Sequence, residues 1–269
     1  MKIHKQLVVK PGTRVRLSRH DPDETFGFND RNKAADLLAE NIERMAGLQY
    51  RLYAEGRRAL LIVLQAMDAG GKDGIIRHVM SGLNPQGCRV TSFKVPSAEE
   101  LAHDFLWRIH KAVPGRGEIG VFNRSHYEDV LIVRVHGLVP KAVWSDRYDQ
   151  INRFEEILAR NNVVIRKFFL HVSKDEQRER LEARLKDPEK NWKVNPKDFD
   201  ERRLWGDYME AYEEALTRCS TDHAPWFVIP ANRKWFRNLA VSSIIRETLE
   251  AMNMKFPKPS CDLSRIRVS

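Results

Sequence analysis

The stretch RALLIVLQAMDAGGKDGIIRH, residues 58–78, runs from an apolar segment through a small-residue loop into a helix-like segment. In that order, backbone N–H groups of the loop and of the helix N-terminus converge on an anion, and a lysine adds a movable positive charge. Ala69, Gly70, Gly71 and Lys72 are therefore read as phosphate-binding residues, with Asp73 beside them. The loop departs from the usual pattern in three places. Ala66 stands where the first glycine is expected, Asp73 replaces the Ser or Thr after the lysine, and Asp68 puts a carboxylate inside the loop. Carboxylates repel phosphate unless a cation lies between them, so the loop calls for Mg²⁺ and a highly charged substrate. Asp68 and Asp73 are candidate ligands for that ion, although Asp73 also reads as a helix N-terminal acid favoured by the macrodipole.

Outward from the loop, apolar strands alternate with helices. Strands are expected near 60–66, 89–94, 119–123, 163–171 and 226–230. Helices are expected near 32–55, 72–82, 98–111, 125–134, 141–160, 174–186, 197–218 and 235–252. Such alternation builds βαβ units, and hence an α/β domain with a mostly parallel, five-stranded sheet covered on both faces. Ser97 and Glu100 form a capping box at the start of the 98–111 segment. No repeat, linker or shift in composition divides the 269 residues, so a single domain is expected. At its start, a basic arm (about 1–30) carries Lys2, Lys5, Lys10, Arg14, Arg16 and Arg19.

Forty-six Lys and Arg against 37 Asp and Glu give a net charge of +9, which points to an anionic partner. Cys88, Cys219 and Cys261 are too widely spaced for a metal pattern or a disulfide framework. The N-terminus lacks the apolar core of a signal peptide and no run of 18 apolar residues occurs. A cytoplasmic protein that does not enter the membrane is the expectation.

Three further segments carry chemistry. In GEIGVFNRSHYEDVL, residues 117–131, Asn123 and Arg124 fall at the tip of a strand, where open α/β sheets bind ligands. Phosphate-loop enzymes commonly place a metal-binding acid there, whereas this chain offers the neutral Asn123. Arg124 suits a bidentate phosphate clamp, with Glu128 one turn later on a similar face; an ordinary Arg–Glu pair is the plainer reading. His126 reads as structural. Residues 174–205 are densely charged and interrupted by Pro188 and Pro196, as a lid would be; Arg178, Arg180, Arg184, Lys186, Lys190 and Lys193 are its cations. Arg134 is a weaker phosphate candidate. Finally APWFVIPANRKWFRNLA, residues 224–240, ends a strand at the ligand edge, where Arg233 and Lys234 can reach phosphate and Trp235 packs.

Taken together, QAMDAGGKDG, SGLNPQGCRVTSFKVPSAEEL, GVFNRSHYEDVLIVRVHGLVP, LKDPEKNWK and PANRKW resemble the motifs of the family-2 polyphosphate kinases, in order and across nearly the whole chain. The resemblance implies a three-layer α/β/α phosphate-loop kinase fold similar to thymidylate kinases, with a helical lid. It implies reversible, Mg²⁺-dependent (or Mn²⁺-dependent) transfer of a terminal phosphoryl group from inorganic polyphosphate to AMP and ADP, giving ADP and ATP. It carries catalytic roles onto Asp68, Lys72, Arg124 and Glu128, with Asp68 and Glu128 near the metal. Asn123 and Glu128, where many members have Asp and Asn, make the chain similar to class III, which accepts both AMP and ADP. Phe93 and Val95, in TSFKVP, are the residues nearest the base on this reading, with Asn123 and Glu128 completing a nucleotide site. The lid cations Arg178, Arg184 and Lys193, with Arg134, are assigned to the polyphosphate chain. Members commonly form homo-oligomers, dimers or tetramers.

Two other readings make different demands. An ATP-dependent nucleoside monophosphate kinase predicts Ser or Thr after Lys72 and a less basic lid. A nucleic-acid-binding protein predicts exposed aromatics interleaved with the basic residues. The sequence meets neither demand.

Overall fold

The computed structural model describes residues 3–267, so Lys2 of the basic arm lies outside the described residues. Among them, five strands form one parallel sheet in the order β2–β3–β1–β4–β5: β1 (Ala59–Gln65), β2 (Cys88–Ser92), β3 (Ile119–Asn123), β4 (Val163–His171) and β5 (Trp226–Pro230). The central strand β1 is buried along its whole length, which is why its sequence is a continuous apolar run. Its alternate residues feed two cores. Leu61 and Val63 pack on one face with Phe122, Phe169 and Trp226; Leu60, Ile62 and Leu64 pack on the other with Val121, Phe168 and Ile229.

The helices follow in chain order: α1 (His4–Leu7), α2 (Arg31–Glu55), α3 (Lys72–Val79), α4 (Ala98–Leu101), α5 (Trp107–His110), α6 (Ile132–Val135), α7 (Lys141–Arg160), α8 (Lys174–Lys186), α9 (Pro196–Glu201), α10 (Trp205–Cys219) and α11 (Lys234–Ala251). Helices α2, α3 and α11 cover one face, and α7 and α10 the other. The three-layer α/β/α architecture expected from the sequence is the one observed. Asp30 caps α2 by accepting from the N–H groups of Asn32 and Lys33, and Gly56 ends it in a left-handed turn.

Three expected helices are interrupted, the 197–218 segment among them: it forms α9 and α10 with a 3₁₀ turn, Arg202–Leu204, between them. The 98–111 segment forms only α4 and α5, because the Asp104 carboxylate accepts from the Leu106 N–H at 2.9 Å and offers the backbone a turn in place of a helix. The 125–134 segment begins as a 3₁₀ turn over His126–Val130 and becomes helical only at α6. There the buried Ser125 accepts from the Tyr127 N–H and donates to Gln65, which holds its backbone extended. The basic arm is no free tail. Its Val9, Val15 and Leu17 enter the core, and the Val9 N–H donates to Trp226, so the arm covers the β5 edge of the sheet.

Lys167 of β4 is fully buried beneath the sheet. Its ammonium donates to Glu155 of α7 at 2.5 Å, to the Tyr127 hydroxyl at 2.8 Å and to the Cys219 carbonyl at 2.6 Å. Lys167→Met alone leaves Glu155 charged and buried, and is expected to cost about 3–5 kcal/mol. The double variant Lys167→Met with Glu155→Leu removes both charges and is expected to regain most of that loss. Urea denaturation of the two variants measures the difference.

Candidate active site

The C-terminal ends of β1 and β3 open onto a cavity of about 980 Å³. The loop between β1 and α3 forms its floor. Ala69 and Gly71 take positive φ (58° and 108°), turning the backbone so that the loop closes on itself, and the Gly70 N–H donates to Met67. Gly70 is required by space: a Cβ there would lie 2.6 Å from the Cβ of Ala66. Gly71 is required by conformation and space together, since a Cβ would fall 1.9 Å from Nη1 of Arg237.

Lys72 opens α3 and donates to the Ala66 carbonyl at 3.0 Å. Burial, with Arg124 beside it, pulls its ammonium below the ordinary lysine value against the opposing carboxylates Asp68, Glu128 and Asp73. Arg124, at the tip of β3, also has positive φ (63°), a strained conformation for a side chain of its size. It donates to Asp68 at 2.9 Å and lies 3.7 Å from Glu128. Burial would lower Arg124, but Glu128 and Asp68 outweigh it and raise its value. Glu128 is fixed from the other side by Gln65, which donates to it at 2.9 Å. Asn123 donates to Asp73 at 3.0 Å, and Lys193 of the lid reaches the other oxygen of Asp73 at 3.6 Å.

The lid comprises α8, α9 and the turns between and after them. Its base is fastened to the loop. Arg180 donates to the carbonyls of Ala69, Gly70, Ala231 and Asn232, and Gln177 donates to the carbonyl of Asp68. Arg184, Lys190 and Lys193 line the cavity with Lys234. A smaller cavity of about 160 Å³ lies on the other side of Asp68 and Arg124, enclosed by Glu128, Leu131, Ile132, Asp198, Tyr208 and Tyr212. Asp68, Arg124, Asn195 and Asp198 line both spaces. The Asp198 carboxyl is pushed up by burial and by Asp68, against the pull of Arg184.

The structure thus gathers Asp68, Ala69, Gly70, Gly71, Lys72, Asp73, Asn123, Arg124, Arg184 and Lys193 around one space, with Glu128 in the adjoining one. It moves four sequence assignments elsewhere. Arg134 is bound to Glu214 at 2.5 Å and lies over the Trp144 ring, so its charge supports α6 against α10. Arg178 points outward and pairs with Asp175 and Glu182 of its own helix. Phe93 is buried edge-on against Phe122, and Val95 is 91% exposed; between them only Lys94 reaches the cavity. His126 is fully buried and bonded to Glu155 at 3.1 Å, a structural residue as expected.

Asp198, Tyr208, Tyr212 and Arg237 also line these spaces, at positions where the sequence carries no phosphate-binding pattern.

The sequence profile of the polyphosphate kinase 2 family matches residues 28–257. The chain belongs to that family. It is 54% identical over 263 residues to the AMP/ADP-polyphosphate phosphotransferase of Meiothermus ruber, covering 97% of this chain and 98% of that protein. It is 49% identical over 266 residues to the ADP-polyphosphate phosphotransferase of Rhodopseudomonas palustris, covering 94% of this chain and 92% of that one. Polyphosphate kinase 2 from Arthrobacter aurescens TC1 superposes with a TM-score of 0.93 at 45% identity, over 97% of this chain and 93% of that structure.

Gly71→Ala tests the loop directly. The substitution forces a side chain into positive φ and against Arg237, and is expected to cost about 1–3 kcal/mol of stability and most of the phosphoryl-transfer activity. Thermal melts and initial rates measured on the same preparation report both effects.

Proposed function

We propose that the protein transfers the terminal phosphoryl group of inorganic polyphosphate to AMP and ADP, reversibly, with Asp68 and Arg124 at the transfer point. One observation carries this reading: two cavities of unequal size and character share those two residues. The large one is open and basic, and suits a donor made only of phosphates. The small one is walled by Leu131, Ile132, Tyr208 and Tyr212, and suits the acceptor end of a nucleotide. The Meiothermus ruber relative, an AMP/ADP-polyphosphate phosphotransferase, supports the same acceptor pair and the class III reading.

Phosphoryl transfer is governed by positioning and charge stabilisation. Lys72 and the Arg124 fork neutralise the moving phosphoryl group, and partial burial makes that stabilisation stronger than it would be in water. The ionic tie between Arg124 and Asp68 fixes the fork before substrate enters. Among the described residues no three His, Cys, Asp or Glu side chains converge as a metal cage. That donor set fits Mg²⁺, which is usually held by one or two carboxylates and completed by substrate phosphates and water. Asp68 is the residue that would hold it, with Glu128 and Asp198 nearby, and the bound ion would offset negative charge between donor and acceptor. The lid excludes water, so the phosphoryl group reaches a nucleotide and is not hydrolysed. A cytoplasmic location and a homo-oligomeric state belong to the same proposal; among the described residues no helix is long and apolar enough to cross a membrane.

The protein incubated with AMP or ADP, Mg²⁺ and polyphosphate, without added ATP, is expected to form ATP. Arg124→Lys keeps the charge and loses the fork; its kcat is expected to fall by about 10²-fold. Asp68→Asn is expected to fall at least as far and to raise the Mg²⁺ concentration needed for half-maximal rate. An Asp68→Asn enzyme with wild-type kcat and Mg²⁺ dependence would remove that residue from the transfer point.

A further inference from the structure

Residues Phe236–Ser242 of α11 are all buried, and one of them is Arg237, only 3% exposed. A desolvated guanidinium is costly unless an anion accompanies it. The other buried cation of this kind, Lys167, has Glu155. Arg237 has no carboxylate at ion-pairing distance among the described residues. Its Nε and Nη2 donate to the neutral Asn238 Oδ1, at 3.1 and 2.8 Å. Its charged neighbour is another cation, Arg180.

The fold nevertheless makes room for this group against the phosphate loop. A Cβ on Gly71 would lie 1.9 Å from Nη1, and one on Gly74 2.7 Å from Nη2, so two glycines let the guanidinium reach the loop backbone and the N-terminus of α3. Arg237 lines the large cavity there, beside Arg180 and Lys234. The smaller cavity, which contains Asp68 and Arg124, does not include it.

We infer that Arg237 is a donor-binding residue that takes the phosphoryl groups of the polyphosphate chain lying beyond the one transferred. The missing anion is then supplied by the substrate. A chain with a negative charge at every repeat can occupy the transfer point and still place phosphate against Arg237. AMP and ADP, bound as acceptors on the far side of Asp68 and Arg124, leave Arg237 untouched. Burial and Arg180 lower the Arg237 guanidinium to about 10, as expected for a cation held without its counter-charge. The inference rests on polyphosphate being the donor.

The test is Arg237→Met in the full-length chain, with long-chain polyphosphate as probe. Removing an uncompensated buried charge is expected to raise the Tm of the free protein by a few degrees. The KM for polyphosphate is expected to rise about tenfold or more, with the KM for AMP and ADP unchanged. The upward shift in Tm that polyphosphate gives the wild-type protein should shrink in the variant. Arg237→Lys, which keeps the charge, should restore most of the affinity. A purely structural arginine predicts a lower Tm and an unchanged polyphosphate KM, and either result overturns the inference. If the wild-type protein makes ATP from AMP and polyphosphate while the variant does so with wild-type KM, only the role of Arg237 falls. If the wild type makes none, the donor itself is wrong and both readings fall.

Discussion

The buried ion pair of Lys167 and Glu155 is the contact on which the catalytic face depends. It joins β4 to α7, and its remaining hydrogen bonds reach two more elements. The ammonium takes the carbonyl of Cys219, the last residue of α10, and so satisfies a group that a helix end leaves open. Glu155 accepts from the Tyr127 hydroxyl at 3.0 Å and is bonded to His126 at 3.1 Å. Burial alone would push the Glu155 carboxyl up, but Lys167 and His126 outweigh it and hold it below the usual range. His126 and Tyr127 lie between Arg124 and Glu128 in sequence. A pair placed deep in the core therefore anchors the short segment that carries Arg124 and Glu128 to the cavities.

The opposite face secures the loop by another means. Helix α11 brings Arg237 up to Gly71 and Gly74, while the lid base brings Arg180 to four carbonyls of the loop and of the chain after β5. One cation is accompanied by four backbone oxygens; the other, among the described residues, has a neutral amide oxygen and no carboxylate. The difference follows from what each touches. Carbonyl dipoles accompany Arg180 permanently, whereas Arg237 lies against Gly71 and Gly74 at the start of α3, with the neutral Asn238 oxygen accepting from it. The two adjoining cavities are thus lined from both layers, with the ends of β1 and β3 between them.

Much of this was legible in sequence, because buried parallel strands are unbroken apolar runs and phosphate loops carry their glycines at fixed spacing. All five strands fall within two residues of their expected ends. The failures were local or tertiary. Asp104 and Ser125 diverted backbone from helices whose apolar pattern was sound. Arg134 and Arg178 have the charge expected of phosphate ligands, but Glu214, Asp175 and Glu182 use it instead, and only the fold decides which partner lies near. Phe93 and Val95, two residues apart, would share a face in a continuing strand, but β2 ends at Ser92, so Phe93 still packs on the core while Val95 is left in solvent. Asp198 and Tyr212 reach the site from segments without any phosphate-binding pattern of their own.

Two oddities of the sequence, Asp73 after the loop lysine and Asn123 at the tip of β3, have a single geometric explanation. In many phosphate-loop enzymes a hydroxyl follows the lysine and an acid ends the neighbouring strand, and both serve the metal. Here the acid, Asp73, follows the lysine, and the neutral residue, Asn123, ends β3. The two face each other at 3.0 Å, with the Asn123 amide donating to the Asp73 carboxylate. Polar groups of the usual kinds have exchanged ends of one contact. Since Lys193 of the lid also reaches Asp73, the exchanged acid gives the lid an ionic point of contact that a serine or threonine would not supply. Asp68 is left as the loop carboxylate directed at Arg124, where donor and acceptor spaces meet.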